Sequence, residues 1–327
     1  MPIASILGTG AARDLPVATS LALDHQHDLA PGLTQRLTGV VQRPRAGARD
    51  QVALATDAAL AALADSGCEA GTLDAILHVA AVPYQTIPAT APLVQRALGL
   101  PDGALAAYDI GATCLGFLAA LQHAAAMVET GRWERVLVVA SERISDNLDW
   151  QVPSTAGLFG DGAGAAVVGL GPGGLQIGQV VLQTHPSGYE AARLRAGGTR
   201  LGAGAPAEET RFVMDGPALF GLTRRRFEAF VQGNLRAAGL GLNDIDLIVP
   251  HQASPVALRL MARALGVEDD RLIDLSATHG NQVAASLPVT LDYARRAGRI
   301  APGARVLMLG TAAGVTFGTA LLEAPCD

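Results

Sequence analysis

The sequence predicts an α/β protein built from two duplicated halves. Three observations carry this reading. Short apolar segments that read as buried strands alternate with alanine-rich segments that read as helices. Several of these segments recur in the same order at nearly one spacing. The 38 glycines and 18 prolines are scattered, so neither a low-complexity linker nor a run of like charge divides the chain.

The strand candidates are Ala75–Ala81, Arg135–Ala140, Gly164–Gly169, Asp246–Pro250 and Arg305–Leu309. Gln51–Ser66 and Leu115–Thr130 are the clearest helices between them. Such alternation predicts a sheet covered on both faces. The repeats are specific. Leu73-Asp74-Ala75-Ile76-Leu77 is similar to Ile245-Asp246-Leu247-Ile248-Val249, 172 residues on. Asp109–Cys114 (DIGATC) is similar to Asp274–His279 (DLSATH), 165 residues on, and VLVV at 136–139 is similar to VLML at 306–309, 170 residues on. We therefore expect one half over 1–170 and another over 171–327, with equivalent loops meeting at a pseudo-twofold axis. A site there would draw Cys114 from one half and His251, His279 and Asn281 from the other.

Composition excludes several function classes. With 327 residues, half of them hydrophobic, the chain can bury a large core. The net charge is −6, and no basic stripe suggests nucleic acid. All the basic residues are arginine; there is no lysine. That excludes a Schiff-base lysine, a pyridoxal-phosphate anchor and a Walker A loop. Cys68, Cys114 and Cys326 lie too far apart for a zinc pattern or a disulfide framework, so we expect neither metal nor cofactor. No signal-type start and no run of about 20 apolar residues is present, so a soluble cytoplasmic protein without membrane contact is expected.

Cys114 follows a short strand and precedes an apolar helix. Unpaired N–H groups and the positive helix end at such a turn favour thiolate over thiol, although a buried cysteine can simply pack. His251 (LIVPHQAS) ends a buried strand, where α/β sheets place ligands; it could equally be a satisfied loop histidine. Asn281 (THGNQVAAS) follows a glycine turn and could be a plain helix cap. His279 reads as a supporting turn residue. As a set, the three make chemical sense. A cysteine thiolate can take an acyl group, while a neutral imidazole and an amide can donate to a thioester carbonyl and stabilise an enolate. The Cys114 amide is a natural oxyanion donor. Gly160-Asp161-Gly162-Ala163-Gly164 runs into a strand rather than a helix, which excludes a dinucleotide loop. Those glycines read instead as places where backbones pass closely.

These residues resemble β-ketoacyl-acyl-carrier-protein synthase III, a condensing enzyme of the thiolase superfamily. The resemblance runs from ILGTGAARDLP through DIGATCLGF, LFGDGAGAAVV, VMDGPALF and PHQAS to HGNQVAASLPVTL and GTAAGVTFGTALL. It implies a five-layered α-β-α-β-α thiolase fold and a homodimer. It also implies that Cys114 is acylated from a coenzyme A or carrier-protein thioester. His251 and Asn281 would then drive decarboxylation of a malonyl partner. The tail loop with Ala313 and Gly314 would complete the oxyanion site, and Ile87 (PYQTIPATAP) would reach into the partner subunit's acyl pocket. Two other readings are an acyltransferase to an alcohol or amine and a non-catalytic partner subunit. Intact Cys114, His251 and Asn281 favour condensation.

The departures concern the coenzyme A handle. Leu33 stands where the family has a tryptophan before Thr38-Gly39. Pro153 and Val256 replace basic residues, and the tail loop reads Ala312-Ala313-Gly314 instead of three glycines. The chain is therefore similar also to specialised members that make secondary metabolites. A carrier protein, with its acidic helix and pantetheine arm, would need a basic rim and a narrow apolar tunnel. Arg224, Arg225 and Arg226, with Arg259 and Arg263 one helical turn apart, are the candidate rim.

Overall fold

The computed structural model describes residues 2–202, 204–224 and 226–326. Its first elements are β1 (Ser5–Ala11), β2 (Val17–Thr19), α1 (Ser20–Gln26), α2 (Leu33–Thr38), β3 (Gln42–Pro44), α3 (Gln51–Ser66), β4 (Ala75–Val79), α4 (Ala91–Ala97), β5 (Ala106–Asp109), α5 (Gly116–Glu129), β6 (Arg135–Glu142), α6 (Pro153–Ala156) and β7 (Gly162–Gly169). The chain continues through β8 (Leu175–Thr184), β9 (Ala192–Arg193), β10 (Val213–Met214), α7 (Gly216–Arg224), α8 (Phe227–Ala237), β11 (Leu247–Pro250), α9 (Pro255–Leu265), α10 (Ser276–His279), α11 (Ser286–Arg296), β12 (Arg305–Ala312) and β13 (Thr316–Glu323).

Nine strands form one sheet in the order β11-β12-β13-β8-β1-β7-β6-β4-β5. Its two arms join where Ser5 and Ile6 of β1 pair with Gln176 and Leu175 of β8. Counted outward from that joint, the arms match. β7, β6, β4 and β5 follow β1; β13, β12, β11 and then the backbone of Leu272, bridged to Ile248, follow β8. The core has three main parts. The largest lies between the arms and is filled by α5 and α11. A second lies between α3 and the outer face of the first arm. A third lies between α8, α9 and the outer face of the second arm. Helix, sheet, helix, sheet and helix thus make five layers.

Local sequence explains the elements. Asp50 caps α3 by accepting from the Ala53 N–H, and Gly67 ends the helix in the left-handed region. The helix buries Ala55, Ala58, Ala59 and Ala62 because β1 runs against its backbone. A Cβ on Gly8 would lie 2.4 Å from the Ser66 nitrogen, and one on Gly10 would lie 2.3 Å from the Ala62 nitrogen. The early Gly8-Thr9-Gly10 motif is thus a strand-on-helix contact.

One repeat needs re-registering. Each arm leads into a 3-10 turn and then a central helix: Thr113–Leu115 before α5, and Val283–Ala285 before α11. Thr113 and Val283 share a left-handed φ of 47° and 50°. By this geometry Cys114 corresponds to Ala284 and not, as the sequence suggests, to His279. Four positions lead from Asp109 to Thr113, and nine from Asp274 to Val283. The added chain carries α10, Gly280 and Asn281. No helix among the described residues is long and apolar enough to cross a membrane.

Candidate active site

Cys114 is the middle residue of the 3-10 turn between β5 and α5. Thr113 holds the turn in the left-handed region, at a typical cost of about 1–3 kcal/mol for a non-glycine residue. Leu115 anchors it and is fully buried against strands of the other arm: a Cβ on Gly310 or Gly318 would come within 3.3 or 2.8 Å of Leu115. Cys114 is half-buried and packs among the cluster of Ile144, Phe159 and Val283, beside Ala81 and Val82.

The expected thiolate is not found. Burial pushes the Cys114 thiol up to about 12, with Glu142 adding negative charge; the N–H groups of Ala313 and of Cys114 itself oppose this. The helix end does not prevail because Leu115, not Cys114, is the N-cap of α5. Desolvation in the apolar cluster outweighs the N–H donors. Cys114 therefore rests as a thiol.

His251 continues β11, donating its N–H to the Leu309 carbonyl at 2.8 Å. It is 4% exposed. Burial pushes its imidazole down to about 4, which keeps it neutral, and Nδ1 has no hydrogen-bond partner among the described residues. A Cβ on Gly310 would lie 2.6 Å from the His251 Cβ. That glycine lets the histidine pack beside the Leu115 anchor, and it went unnoticed in the sequence.

Asn281 follows Gly280 (φ 64°) and is 8% exposed. Its Nδ2 donates to the Ala253 carbonyl at 3.3 Å, and Oδ1 accepts from the Val283 N–H at 2.8 Å. Its backbone is clamped by Leu158 and Gly160. The amide is thus tied both to the loop after His251 and to the turn that matches the cysteine turn. Gly160 and Gly162 allow this: added Cβ atoms would meet the His279 carbonyl oxygen at 2.4 Å and the Gln282 Nε2 at 2.1 Å. His279 itself is half-buried and bonds Thr278 through Nδ1 at 3.0 Å.

The structure brings Cys114, His251, Asn281 and the Ala313–Gly314 turn to one place. Ala313 faces the thiol, and Gly314 makes the β12–β13 turn with φ 81°. Ile87 lies away from them in the loop before α4. It is 85% exposed, so it does not pack within its own subunit. Arg224, Arg226, Arg259 and Arg263 are exposed; Arg225 lies outside the described residues. An apolar cavity of about 300 Å³ runs between α7–α8 and α9, from Arg224 and Phe220 past Ala257 to His251 and Thr311. A wider cavity of about 850 Å³ borders α1 and is lined by His27, Arg45, Trp150 and Arg211. There His27 stacks on Trp150 at 4.3 Å. Neither ring was singled out in the sequence. Among the described residues no cluster of His, Cys, Asp or Glu could hold a metal ion.

Comparison with known proteins identifies the family. Family models described as 3-Oxoacyl-[acyl-carrier-protein (ACP)] synthase III and its C-terminal part match residues 108–186 and 235–324. The Beta-ketoacyl-[acyl-carrier-protein] synthase III of Bordetella petrii is 40% identical over 82% of this chain and 80% of its own. That of Thiobacillus denitrificans is 36% identical over 99% and 100%. The crystal structure of 3-oxoacyl-[acyl-carrier-protein] synthase III from Aquifex aeolicus superposes with a TM-score of 0.88 at 30% identity, covering 98% of this chain and 99% of the other. With its thiolase fold and site, the chain belongs to the β-ketoacyl-[acyl-carrier-protein] synthase III family and is an acyl-thioester condensing enzyme.

Proposed function

We propose that Cys114 takes the acyl group and that His251 and Asn281 drive its decarboxylative condensation with a malonyl thioester. The observation that carries this is the pair of backbone N–H groups, from Ala313 and Cys114, directed at the thiol. As the sulfur attacks the acyl donor, the thioester oxygen gains charge beside these donors. The carrier thiol leaves with the proton that Cys114 loses. In the second half-reaction neutral His251 and the Asn281 amide donate to the malonyl thioester oxygen. The bond to the carboxylate breaks, carbon dioxide leaves, and the electron pair becomes an enolate. Its carbon attacks the acyl carbonyl, the Cys114 sulfur departs, and a β-ketoacyl thioester results. No metal or cofactor takes part in these steps. Residues 1–170 supply the nucleophile and 171–327 the donors, with Ile87 of each subunit closing the acyl pocket of the other in a homodimer. The test is intact mass: an acyl-thioester should add one acyl mass to the wild type and none to Cys114→Ala. Stable acylation of Cys114→Ala would remove the assignment.

For the donor we favour a carrier protein. The apolar cavity ending at His251 opens beside Arg224, while Arg259 and Arg263 stand exposed on α9 outside its lining. Exposed charges act mainly on encounter rate. Arg259→Glu with Arg263→Glu should therefore lower kcat/KM for carrier-bound substrate, more at low salt, and leave short thioester mimics nearly unchanged. Equal losses for both substrates would count against the rim. One observation favours a second reading, coenzyme A. The His27–Trp150 stack and Arg45 could receive its nucleotide, just ahead of Pro153. A wild-type preference for free coenzyme A thioesters would select that reading.

A further inference from the structure

Glu142, the last residue of β6, is completely buried. Its Oε1 accepts from the Ala81 N–H at 2.5 Å and the Ala284 N–H at 3.4 Å, and its Oε2 from the Val82 N–H at 3.4 Å. Ala81 and Val82 begin the loop that carries Ile87. Ala284 is the centre of the turn that follows Asn281 and answers the cysteine turn. Cys114, Ala81 and Val82 all pack against the one apolar cluster that contains Val283. The walls on two sides of the thiol, from segments about 200 residues apart in the chain, are therefore held by one carboxylate.

We propose that Glu142 is the positioning residue of the nucleophile: it locks both walls around Cys114 and places its negative charge beside the thiol. A carboxylate is suited to the first task because it can accept all three N–H groups at once, which an amide cannot. The second follows from proximity, since Glu142 acts on the Cys114 thiol through its charge. The groups facing Glu142 are Cys114, from the turn before α5, and Asp161, ahead of β7. Asp161 is occupied by N–H groups of Ala46 and Ser145 and by the Ser145 hydroxyl. Burial pushes Glu142 up to about 8 despite its three donors. Its charge therefore grows as the pH rises through that value, and the thiol becomes harder to ionise where thiols ordinarily ionise.

The inference rests on Cys114 as nucleophile, but its test does not need the acyl reaction. Iodoacetamide alkylation is followed by mass on the peptide that carries Cys114, across pH, in the full-length protein. Glu142→Gln removes the charge and should speed alkylation about tenfold near pH 8–9, the effect of losing one like charge nearby. Acyl transfer from a thioester should slow in the same variant, because the new amide N–H opposes one of the backbone donors. Glu142→Asp keeps the charge; its alkylation profile should match the wild type while acyl transfer slows. The wild-type profile should itself bend near pH 8, where Glu142 ionises. Superimposed profiles for wild type and Glu142→Gln, or a wild-type profile with a single ordinary thiol ionisation, would overturn the proposal. Failure of Cys114→Ala to abolish acylation would overturn the catalytic reading instead.

Discussion

Alanine in place of His251 or Asn281 is expected to slow malonyl decarboxylation by about 10²-fold or more, the scale of one lost oxyanion donor. Acylation of Cys114 should suffer far less, because the Ala313 and Cys114 N–H groups remain. Carbon dioxide release and acyl mass, followed separately, read the two halves. Wild-type decarboxylation in both variants would refute the roles. The pH dependence has a definite sign. Burial holds the imidazole near 4, so its donating neutral form should persist well below the usual histidine range. Decarboxylation should therefore show no histidine ionisation between pH 5 and 7. An acid limb centred near 6.5 would mean that the ring is solvated in the working enzyme. The same shift makes stability fall as pH drops from about 6.5 towards 4, where the unfolded chain binds a proton that the folded one refuses.

The second large effect is on folding. Gly10→Ala should destabilise the protein by about 3 kcal/mol or more, at the upper end for overpacking. Its Cβ would meet the backbone of α3 at 2.3 Å, and a backbone atom in the middle of a buried helix has little room to yield. Gly71→Ala is the control. Among the described residues no atom beyond its chain neighbours lies within 4 Å of that Cβ, and the change should stay within about 0.5 kcal/mol. Urea titration of both variants measures this. A Gly10→Ala midpoint equal to the wild type would show that β1 and α3 can separate freely.

The elements that the sequence revealed are those with local causes. Gln51–Ser66 is helical over its expected length because a cap, an alanine face and a terminal glycine all lie within it. The strand at 135 runs on to Glu142, two residues beyond the expected end, since its last positions pair with β7 and need no apolar pattern. The repeats placed β4 opposite β11 and β6 opposite β12, but the cysteine turn was matched to the wrong residues. Similar letters at Asp274–His279 hid an insertion that only backbone geometry exposes. Glu142 and the His27–Trp150 stack left no trace because their partners lie 60 or more positions away. The thiolate expectation failed for a related reason: the side chains that desolvate Cys114 come from distant loops.

The lengthened turn of the second arm has a consequence for how such a fold could arise. Two strictly identical copies would place equivalent groups across the pseudo-axis: thiol facing thiol, or amide facing amide. A pair of thiols lacks the neutral donors that stabilise a decarboxylation enolate, and a pair of amides lacks a nucleophile. In this chain Ala284 stands where a second sulfur would be, and the intercalated residues deliver Asn281 beside it. A gene doubling could have supplied the scaffold, but the ability to join two carbons depends on where the copies ceased to agree.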